Sequence, residues 1–396
     1  MKTISSQTLA VLVSIALAPS AFAPSAFAQG SLLGVASANT LTPAAVAAPA
    51  RAAEAYDGDF PDPFVLAVDG GWLAVATNTR GANVPLLRSA DLKTWTWAGD
   101  AMPQQPAWVE AGRTWAPAIL PRGGSYVLYF CAHAKGSDKQ EIGCAVSDKP
   151  EGPYTSAATA PLIDTPEQGG AIDPSPFVDD DGRAYLLWKN DGNSMNLPTR
   201  IWIRELTADG TAFVGPPVVL LWRTAGWENP LVEGPSMVKH DGVYHLFYSG
   251  GWWESAGYGV GHAIGRSLTQ KFTKTSVNGP LLGSHDDIEG PGGQEFFRGP
   301  DGPWVAFHAW KKGQVGYGHG GARSLHVERL GWNGDNPVIG APAPSTPAPT
   351  SSPVPTSSPP AGTPAPATPG ATASPVPAVV RALVLEILAI LRAFGL

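Results

Sequence analysis

Short apolar segments alternate with turn-forming residues through the middle of the chain, and this pattern occurs five times. Each repeat has a Pro or Gly, an apolar strand, a turn of the Asp-Gly type, a second strand ending in aromatic residues and a third strand. The repeats begin with DPFVLAVDGGWLAVATN at 62, APAILPRGGSYVLYFCAH at 116, DPSPFVDDDGRAYLLWKN at 173, GPSMVKHDGVYHLFYSGG at 234 and GQEFFRGPDGPWVAFHAW at 293.

The spacing of these repeats predicts the fold. The prolines of the first four repeats are 54, 57 and 61 residues apart, and three repeats carry an Asp-Gly hairpin signal. A period of this length with three or four strands is typical of radial blades. We therefore predict an all-β domain, a five-bladed β-propeller over residues 56–340. A β-sandwich with coincidental similarity is the alternative, and the matched Pro, turn and aromatic positions count against it.

The first 28 residues have the pattern of an export signal. Lys2 precedes an apolar run over 8–18, and small-residue cleavage sites end at Ala23 and Ala28. The later site is favoured because Pro24 follows the earlier one; an uncleaved anchor is the alternative. We expect a signal peptide at 1–28, an Ala-rich leader at 29–55 and a secreted protein, extracellular or periplasmic.

The other end of the chain has two parts. Residues 341–377 hold 13 of the 40 prolines, mixed with Ala, Ser and Thr, which predicts an extended linker. Residues 378–396 are apolar and helix-prone, but Glu386 lies in their middle, which counts against a membrane-spanning helix. We expect a docking helix or a weakly ordered tail; a membrane or cell-surface tether is the alternative.

Composition excludes several classes of function. Residues 56–340 hold 22 of the 26 basic and 31 of the 33 acidic side chains, a net charge of −9, so nucleic acid is not an expected partner. Two cysteines cannot build a disulfide-dense scaffold or a cysteine-based zinc site. Cys131 and Cys144 flank a short loop and are expected either to form a disulfide or to stay buried free thiols. We expect a monomer.

Three acidic residues occupy equivalent places in the repeats. Asp62, Asp173 and Glu233 stand at the start of the strand that lines the channel of a propeller, so they converge on one channel mouth. Converging carboxylates raise each other's proton affinity. They indicate either a cation site or acid–base chemistry. Paired carboxylates in an acidic, Trp-rich, exported scaffold favour glycoside hydrolysis.

The domain resembles glycoside hydrolase family 43 over about 56–335. The resemblance is carried by GDFPDPFVL around Asp62, TWAPAIL at Trp115, AIDPSPFVDDDGRAYLLWK around Asp173, VEGPSMVKHDGVYHLFYS around Glu233, and GPGGQEFF with FHAW. It implies that Asp62 is the general base, Glu233 the general acid, and Asp173 the acid that raises the proton affinity of Glu233 and orients it. It also implies inversion, with base and acid roughly 6.5–9.5 Å apart.

The same resemblance implies roles for five further residues. Trp115, Arg323, Gln294 and Asn190 are expected at the substrate, with Arg323 holding the sugar in the cleaved subsite. His308 in FHAW is expected in the channel, near a bound calcium ion or an ordered water. No cofactor is expected for the chemistry itself. Where many relatives carry a His-Asn or His-Cys pair, this chain has Gly293-Gln294, which alters the expected pocket floor.

The stretch LLWKNDGNSMNLPTRIWIREL resembles family members that act on arabinose-containing chains. We therefore expect an α-L-arabinofuranosidase or an arabinanase acting on arabinan-type or arabinoxylan-type polysaccharide or oligosaccharide. The alternatives are a β-xylosidase of the same family, a propeller that binds carbohydrate without catalysis, and a fructan hydrolase or glycoside phosphorylase. The complete set of three acids counts against the binding module, and signature motifs of the last two enzymes are not seen. Exo or endo action stays open.

Overall fold

The computed structural model describes residues 55–342, and most of them lie in strands. The predicted signal peptide, the predicted tail, and all but the nearest residues of the leader and linker lie outside the described residues. Among residues 55–342, no helix is long and apolar enough to cross a membrane.

The strands form five antiparallel sheets in chain order, which are the five predicted blades. The first is β1 (Phe64–Val68), β2 (Gly71–Val75), β3 (Pro85–Ser89) and β4 (Thr96–Asp100). The second is β5 (Val109–Arg122), β6 (Ser125–Ala134) and β7 (Gln140–Ser147). The third is β8 (Ala171–Val178), β9 (Ala184–Asn190), β10 (Arg200–Leu206) and β11 (Phe213–Trp222).

The last two blades have four strands each. The fourth is β12 (Val232–His240), β13 (Val243–Gly250), β14 (Gly259–Gly265) and β15 (Thr273–Lys274). The fifth is β16 (Ile288–Gly299), β17 (Gly302–Lys311), β18 (Arg323–Asn333) and β19 (Asn336–Ile339). Short 3₁₀ turns lie in the connections, at Pro166–Gln168, Gly192–Met195, Gly226–Glu228 and Tyr317–His319.

The inner strands close a ring. Around the axis β1 contacts β5, β5 contacts β8, β8 contacts β12, β12 contacts β16, and β16 contacts β1. The chain is therefore an all-β five-bladed propeller, as the repeats predict, and the start of each inner strand faces a common channel.

The hairpins inside the blades follow the Asp-Gly signals. In the fourth blade His240 pairs with Val243, which leaves Asp241 and Gly242 as a two-residue loop with φ of +47° and +75°. Two positive φ values define the type I′ turn, whose twist matches the flanking strands, and Asp-Gly is a preferred sequence for it.

The hydrophobic core is divided into five clusters, each between two neighbouring blades. Large buried residues in successive clusters are Phe130, Trp188, Tyr248, Phe307 and Phe60. Burying a large apolar side chain contributes about 1.5–3 kcal/mol. Because every blade packs on both neighbours, the clusters hold the channel-lining strands in place.

The N-terminal segment of the described chain closes the ring on the fifth blade. Ala55 donates its N–H to Leu325 O at 2.9 Å, and Phe60 donates to Arg323 O at 2.9 Å. Tyr56 forms an antiparallel bridge with Leu325 in β18. The paired segment thus includes Ala55, the first residue that the structure describes.

Candidate active site

Each blade begins with one residue in the left-handed region of backbone space. These residues are Asp62 (φ +52°), Ala116 (+42°), Asp173 (+58°), Gly234 (+51°) and Gly293 (+58°). A left-handed backbone costs a residue with a side chain roughly 1–2 kcal/mol. Strain of this kind clusters at functional sites, and here it falls on two of the three predicted acids.

Hydrogen bonds between blades hold these strained residues. In four blades a side chain near the end of the second strand accepts the N–H of the left-handed residue in the next blade. These bonds run from Ala116 to Thr77 Oγ1 (2.9 Å), from Asp173 to Cys131 Sγ (3.3 Å), from Gly293 to Ser249 Oγ (2.9 Å) and from Asp62 to His308 Nδ1 (3.0 Å). We call this arrangement the inter-blade girdle.

A pocket of about 660 Å³ opens at the mouth of the channel, directly above the girdle. It brings together six of the eight site residues predicted from the sequence. They are Asp62, Trp115, Asp173, Glu233, Gln294 and Arg323.

The carboxylate of Asp62 is held on two sides. Thr77 donates its hydroxyl to Asp62 Oδ2 at 2.6 Å, and Arg323 Nη1 lies 3.6 Å from Oδ1. The carboxyl group is about one-quarter exposed, so a water molecule can reach it. This combination of a fixed and partly exposed carboxyl group suits a group that accepts a proton from water.

The carboxylate of Glu233 is in a different environment. Lys189 donates to Glu233 Oε2 at 3.0 Å, and the Tyr258 hydroxyl donates to Oε1 at 2.8 Å. Lys189 is fully buried and also contacts Asp191 at 3.2 Å. Both carboxyl oxygens of Glu233 therefore accept a hydrogen bond from a neighbouring side chain.

Asp173 lies beside this ion pair, and its pKa is shifted from the usual value. Burial, and then the negative charge of Glu233, raises the pKa of Asp173 to about 8, against the opposing effect of Lys189. Gly234 donates its N–H to Asp173 Oδ2 at 2.8 Å, which leaves Oδ1 to carry a proton. Two carboxyls this strongly coupled titrate as a pair, and near neutral pH the pair holds one proton.

Arg323 joins Asp62 to an aromatic wall of the pocket. Its guanidinium lies 4.8 Å from the ring centre of Trp253, and its Nε donates to the Tyr317 hydroxyl at 3.1 Å. Tyr317 donates in turn to Asp59 at 3.0 Å, and the same carboxylate accepts the backbone N–H of Arg323. These contacts leave the guanidinium one direction in which to point, towards Asp62 and the pocket.

Asn190 does not lie at the pocket, contrary to the expectation from the sequence. It is buried, and its amide group bonds within the third blade. Its Nδ2 donates to Gln168 O and Pro198 O, and its Oδ1 accepts the N–H of Arg200 at 2.8 Å. Asn190 therefore shapes the loop after β9 and is not among the residues that line the pocket.

Gln294 lies at the floor of the pocket, but its amide group is already engaged. It is 1 % exposed. Its Nε2 donates to Gly234 O at 2.7 Å, and its Oε1 accepts the Ser249 hydroxyl at 3.0 Å. The side chain links the fourth and fifth blades at the pocket floor, and its binding of substrate stays a prediction.

His308 is fully buried below the pocket and does not line it. Burial lowers the pKa of His308 well below its usual range, so the ring is neutral. Because Nδ1 accepts the N–H of Asp62, the ring proton is on Nε2, which is buried without a protein partner. An N–H group cannot ligate a cation, so the ring does not fit the calcium ligand implied by the resemblance. It fits a hydrogen-bond donor to a water molecule.

Within residues 55–342, no three His, Cys, Asp or Glu side chains are grouped to hold a metal ion. Cys131 and Cys144 are free thiols, the second of the two alternatives. Strand register pairs Cys131 with Ile142 and Cys144 with Tyr129, so the thiols are not opposite each other.

Sequence reasoning missed several residues of the site. Lys189, Tyr258, Thr77 and Trp253 all contact the predicted acids or Arg323. Thr77 and Lys189 could have been found by aligning the second strands of the repeats, where they share the position of His308. Tyr258 directly precedes β14, at the start of the third repeated segment of its blade, and nothing in that pattern marks it as a site residue.

Known proteins resemble this chain in sequence and in fold. The sequence model described as Glycosyl hydrolases family 43 matches residues 56–338. The chain is 26% identical over 297 residues to a putative beta-xylosidase of Xylanibacter ruminicola, a match that covers 72% of this chain and 50% of that protein. It is 27% identical over 263 residues to a probable arabinan endo-1,5-alpha-L-arabinosidase A of Aspergillus flavus, covering 61% of this chain and 78% of the relative.

Solved structures share the fold. An endo-1,4-beta-xylanase from Bacteroides thetaiotaomicron, 27% identical, superposes with a TM-score of 0.61 over 71% of this chain and 94% of that one. A thermostable family-43 glycoside hydrolase, 24% identical, gives a TM-score of 0.65 over 75% and 97%. The chain spans about half the length of the Xylanibacter relative.

Proposed function

The chain belongs to glycosyl hydrolases family 43, and on that premise we propose that it is a secreted, inverting glycoside hydrolase that cleaves α-L-arabinofuranosidic bonds. Its substrates are arabinan-type or arabinoxylan-type chains. Asp62 serves as general base, Glu233 as general acid, and Asp173 as the partner that shares a proton with Glu233.

The contrast between the two carboxylate environments carries this proposal. Asp62 is partly exposed and held by Thr77 and Arg323, which suits a base next to water. Glu233 is coupled to Asp173, whose raised pKa keeps a proton in the pair near neutral pH. Two carboxyl groups whose surroundings separate their protonation states are the usual arrangement for acid and base roles.

The chemistry then follows in one displacement. Asp62 accepts a proton from a water molecule whose oxygen forms a bond to the anomeric carbon. The bond from that carbon to the leaving oxygen breaks, and the leaving oxygen takes the proton of Glu233. The water attacks from the face opposite the leaving group, so the product has inverted configuration. Asp62 then releases its proton to solvent, and the Asp173–Glu233 pair regains one.

The proposed sugar specificity is supported by similarity to other proteins and not by the three catalytic carboxyl groups. The Aspergillus flavus relative is described as an arabinan-cleaving enzyme, and the stretch after β9 resembles family members that act on arabinose-containing chains. The Xylanibacter relative, matched over more of this chain, is described as a beta-xylosidase, so β-xylosidic bonds are the second candidate. The export signal at 1–28 supports secretion.

A substrate panel tests the proposal. The full-length chain would be assayed on aryl α-L-arabinofuranosides, aryl β-D-xylosides, linear and branched arabinan, and xylan, with Asp62→Ala and Glu233→Ala alongside. We expect arabinose release, loss of at least about a hundredfold in rate in both variants, and β-arabinose as the first product by NMR. Xylose release alone would move the assignment to the second candidate, and wild-type rates in either variant would overturn the roles.

A further inference from the structure

The inter-blade girdle has one exception, and it lies next to Glu233. Lys189 in β9 stands where Ser249 stands in β13 and His308 in β17. Each pairs with the inner-strand residue just before the left-handed position of its blade. Those register pairs are Ile172 with Lys189, Glu233 with Ser249 and Gly292 with His308.

A lysine at this position changes what the girdle can do. The other four blades use a hydroxyl, a thiol or a ring nitrogen to accept an N–H, and an ammonium group has no acceptor. The N–H of Gly234 therefore bonds to Asp173 Oδ2 at 2.8 Å instead. The ammonium group bonds to Glu233 at 3.0 Å and to Asp191 at 3.2 Å. One substitution in the girdle thus places a positive charge on Glu233 and turns the Asp173 carboxyl towards the fourth blade.

The burial of this charge has an energetic consequence. Lys189 is 0 % exposed, and a buried ion costs several kcal/mol before its partners compensate for it. Threonine and serine perform the girdle function in the first and fourth blades at no such cost. The fold itself therefore does not require a cation at this position, whereas the carboxyl pair beside it responds directly to one.

We propose that Lys189 is a positioning residue that fixes the carboxylate of Glu233 and sets the pH at which the Asp173–Glu233 pair loses its proton. The inference rests on the proposed role of Glu233 as general acid. A positive charge within hydrogen-bond distance favours the ionised carboxylate, so Lys189 makes the pair give up its proton at lower pH than burial alone would allow. The other titratable groups around the pair are Asp62, Cys131, Asp191, Tyr258 and Glu295.

The test is the pH profile of kcat/KM, measured with the full-length chain. The substrates are the aryl glycosides of the sugar that the wild type releases, one with a phenyl and one with a 2,4-dinitrophenyl leaving group. In Lys189→Met we expect the alkaline limb of the phenyl glycoside profile to shift to higher pH by about one to two units. Without the positive charge, the Asp173–Glu233 pair keeps its proton to a higher pH. Lys189→Arg keeps the charge and should leave the limb near its wild-type position. If Lys189→Met fails to fold, Lys189→Ser takes its place, because it restores an acceptor of the kind the fourth blade uses.

Controls separate this role from a structural one. Lys239→Met removes a lysine that pairs with Asp179 outside the pocket and should leave the profile unchanged. An alkaline limb that stays in place in the folded Met or Ser variant, or that moves equally in Lys189→Arg, overturns the inference. Failure of the proposed function has a separate signature: Glu233→Gln would then hydrolyse the phenyl glycoside at the wild-type rate, whatever Lys189 does.

Discussion

At the scale of single residues, Gly293 shows how closely the backbone approaches the site. It stands at the fifth left-handed position, with φ +58°. A Cβ atom there would lie 2.7 Å from His308 Nδ1 and 2.8 Å from Asp62 Oδ1. Both distances are shorter than van der Waals contact, so only glycine leaves the Asp62–His308 hydrogen bond and the carboxylate undisturbed.

We therefore expect Gly293→Ala to lower kcat/KM by about a hundredfold, since small displacements of a reacting group cost factors of this size. The measurement is steady-state hydrolysis of the wild-type substrate, with near-UV circular dichroism to confirm that the variant folds. Gly182→Ala is the matched control: it has φ +81° in the hairpin between β8 and β9, and its Cβ would meet no atom within 4 Å. It should lose about 1 kcal/mol of stability and no activity. Equal activity loss in both variants would contradict the steric argument.

The contrast between Asp173 and Asn190 explains what the sequence could reveal about the site. Asp62 and Asp173 could be placed because a proline follows each at blade spacing, and the backbone position defined by that proline faces the channel. Asn190 could not be placed, because a polar residue at the end of a strand can point to the pocket or back into its own loop. Lys189 was unpredicted for a related reason: its role depends on accepting no hydrogen bond where its counterparts do.

At the scale of elements, the segment 55–60 completes the fifth blade from the other end of the domain. Its hydrogen bonds to Leu325 and Arg323 tie this segment to β18, the strand that carries Arg323 into the pocket. Phe60 anchors it, fully buried in the cluster between the fifth and first blades. The five blades were predictable because their pattern repeats, whereas this segment follows an Ala-rich stretch and has no counterpart in the other repeats.

Removing the anchor should open the ring. We expect Phe60→Ala to reduce the free energy of unfolding by about 3–5 kcal/mol, the range for truncating a buried aromatic residue. Urea denaturation monitored by tryptophan fluorescence would measure it. Val338→Ala, on the exposed side of β19, should change stability by less than about 0.5 kcal/mol. A Phe60→Ala value as small as that of the control would show that the segment 55–60 does not hold the ring closed.

At the scale of the whole domain, buried titratable groups of two kinds oppose each other. Burial raises the pKa of Glu141, Asp173 and Glu295 to about 8 each. Burial lowers the pKa of His245 and His326 to about 4 and that of His262 to about 3. The first group is neutral in the folded chain when protonated and the second when deprotonated, so both groups are neutral together only over a limited pH range.

The two groups therefore make the free energy of unfolding depend on pH in opposite directions. The folded chain binds more protons than the unfolded one between the ordinary carboxyl values and about pH 8, so the three carboxyls contribute stability that is lost as pH rises through that window. The histidines bind more protons when unfolded, below about 6.5, so their contribution is lost as pH falls towards 4 and then 3. Between about pH 6.5 and 8 only the carboxyls act.

The carboxyl contribution can be isolated with Glu141, which is buried in the second blade and does not line the pocket. Each such group changes the free energy of unfolding by at most about 1.4 kcal/mol per pH unit. We expect the wild-type free energy of unfolding, from urea denaturation, to decline between about pH 6.5 and 8, and Glu141→Gln to decline less steeply by up to that amount. Asp69→Asn, at an exposed turn, should keep the wild-type slope. An unchanged slope in Glu141→Gln would mean that this carboxyl is already ionised in the folded domain, and that the alkaline loss belongs to the channel carboxyls alone.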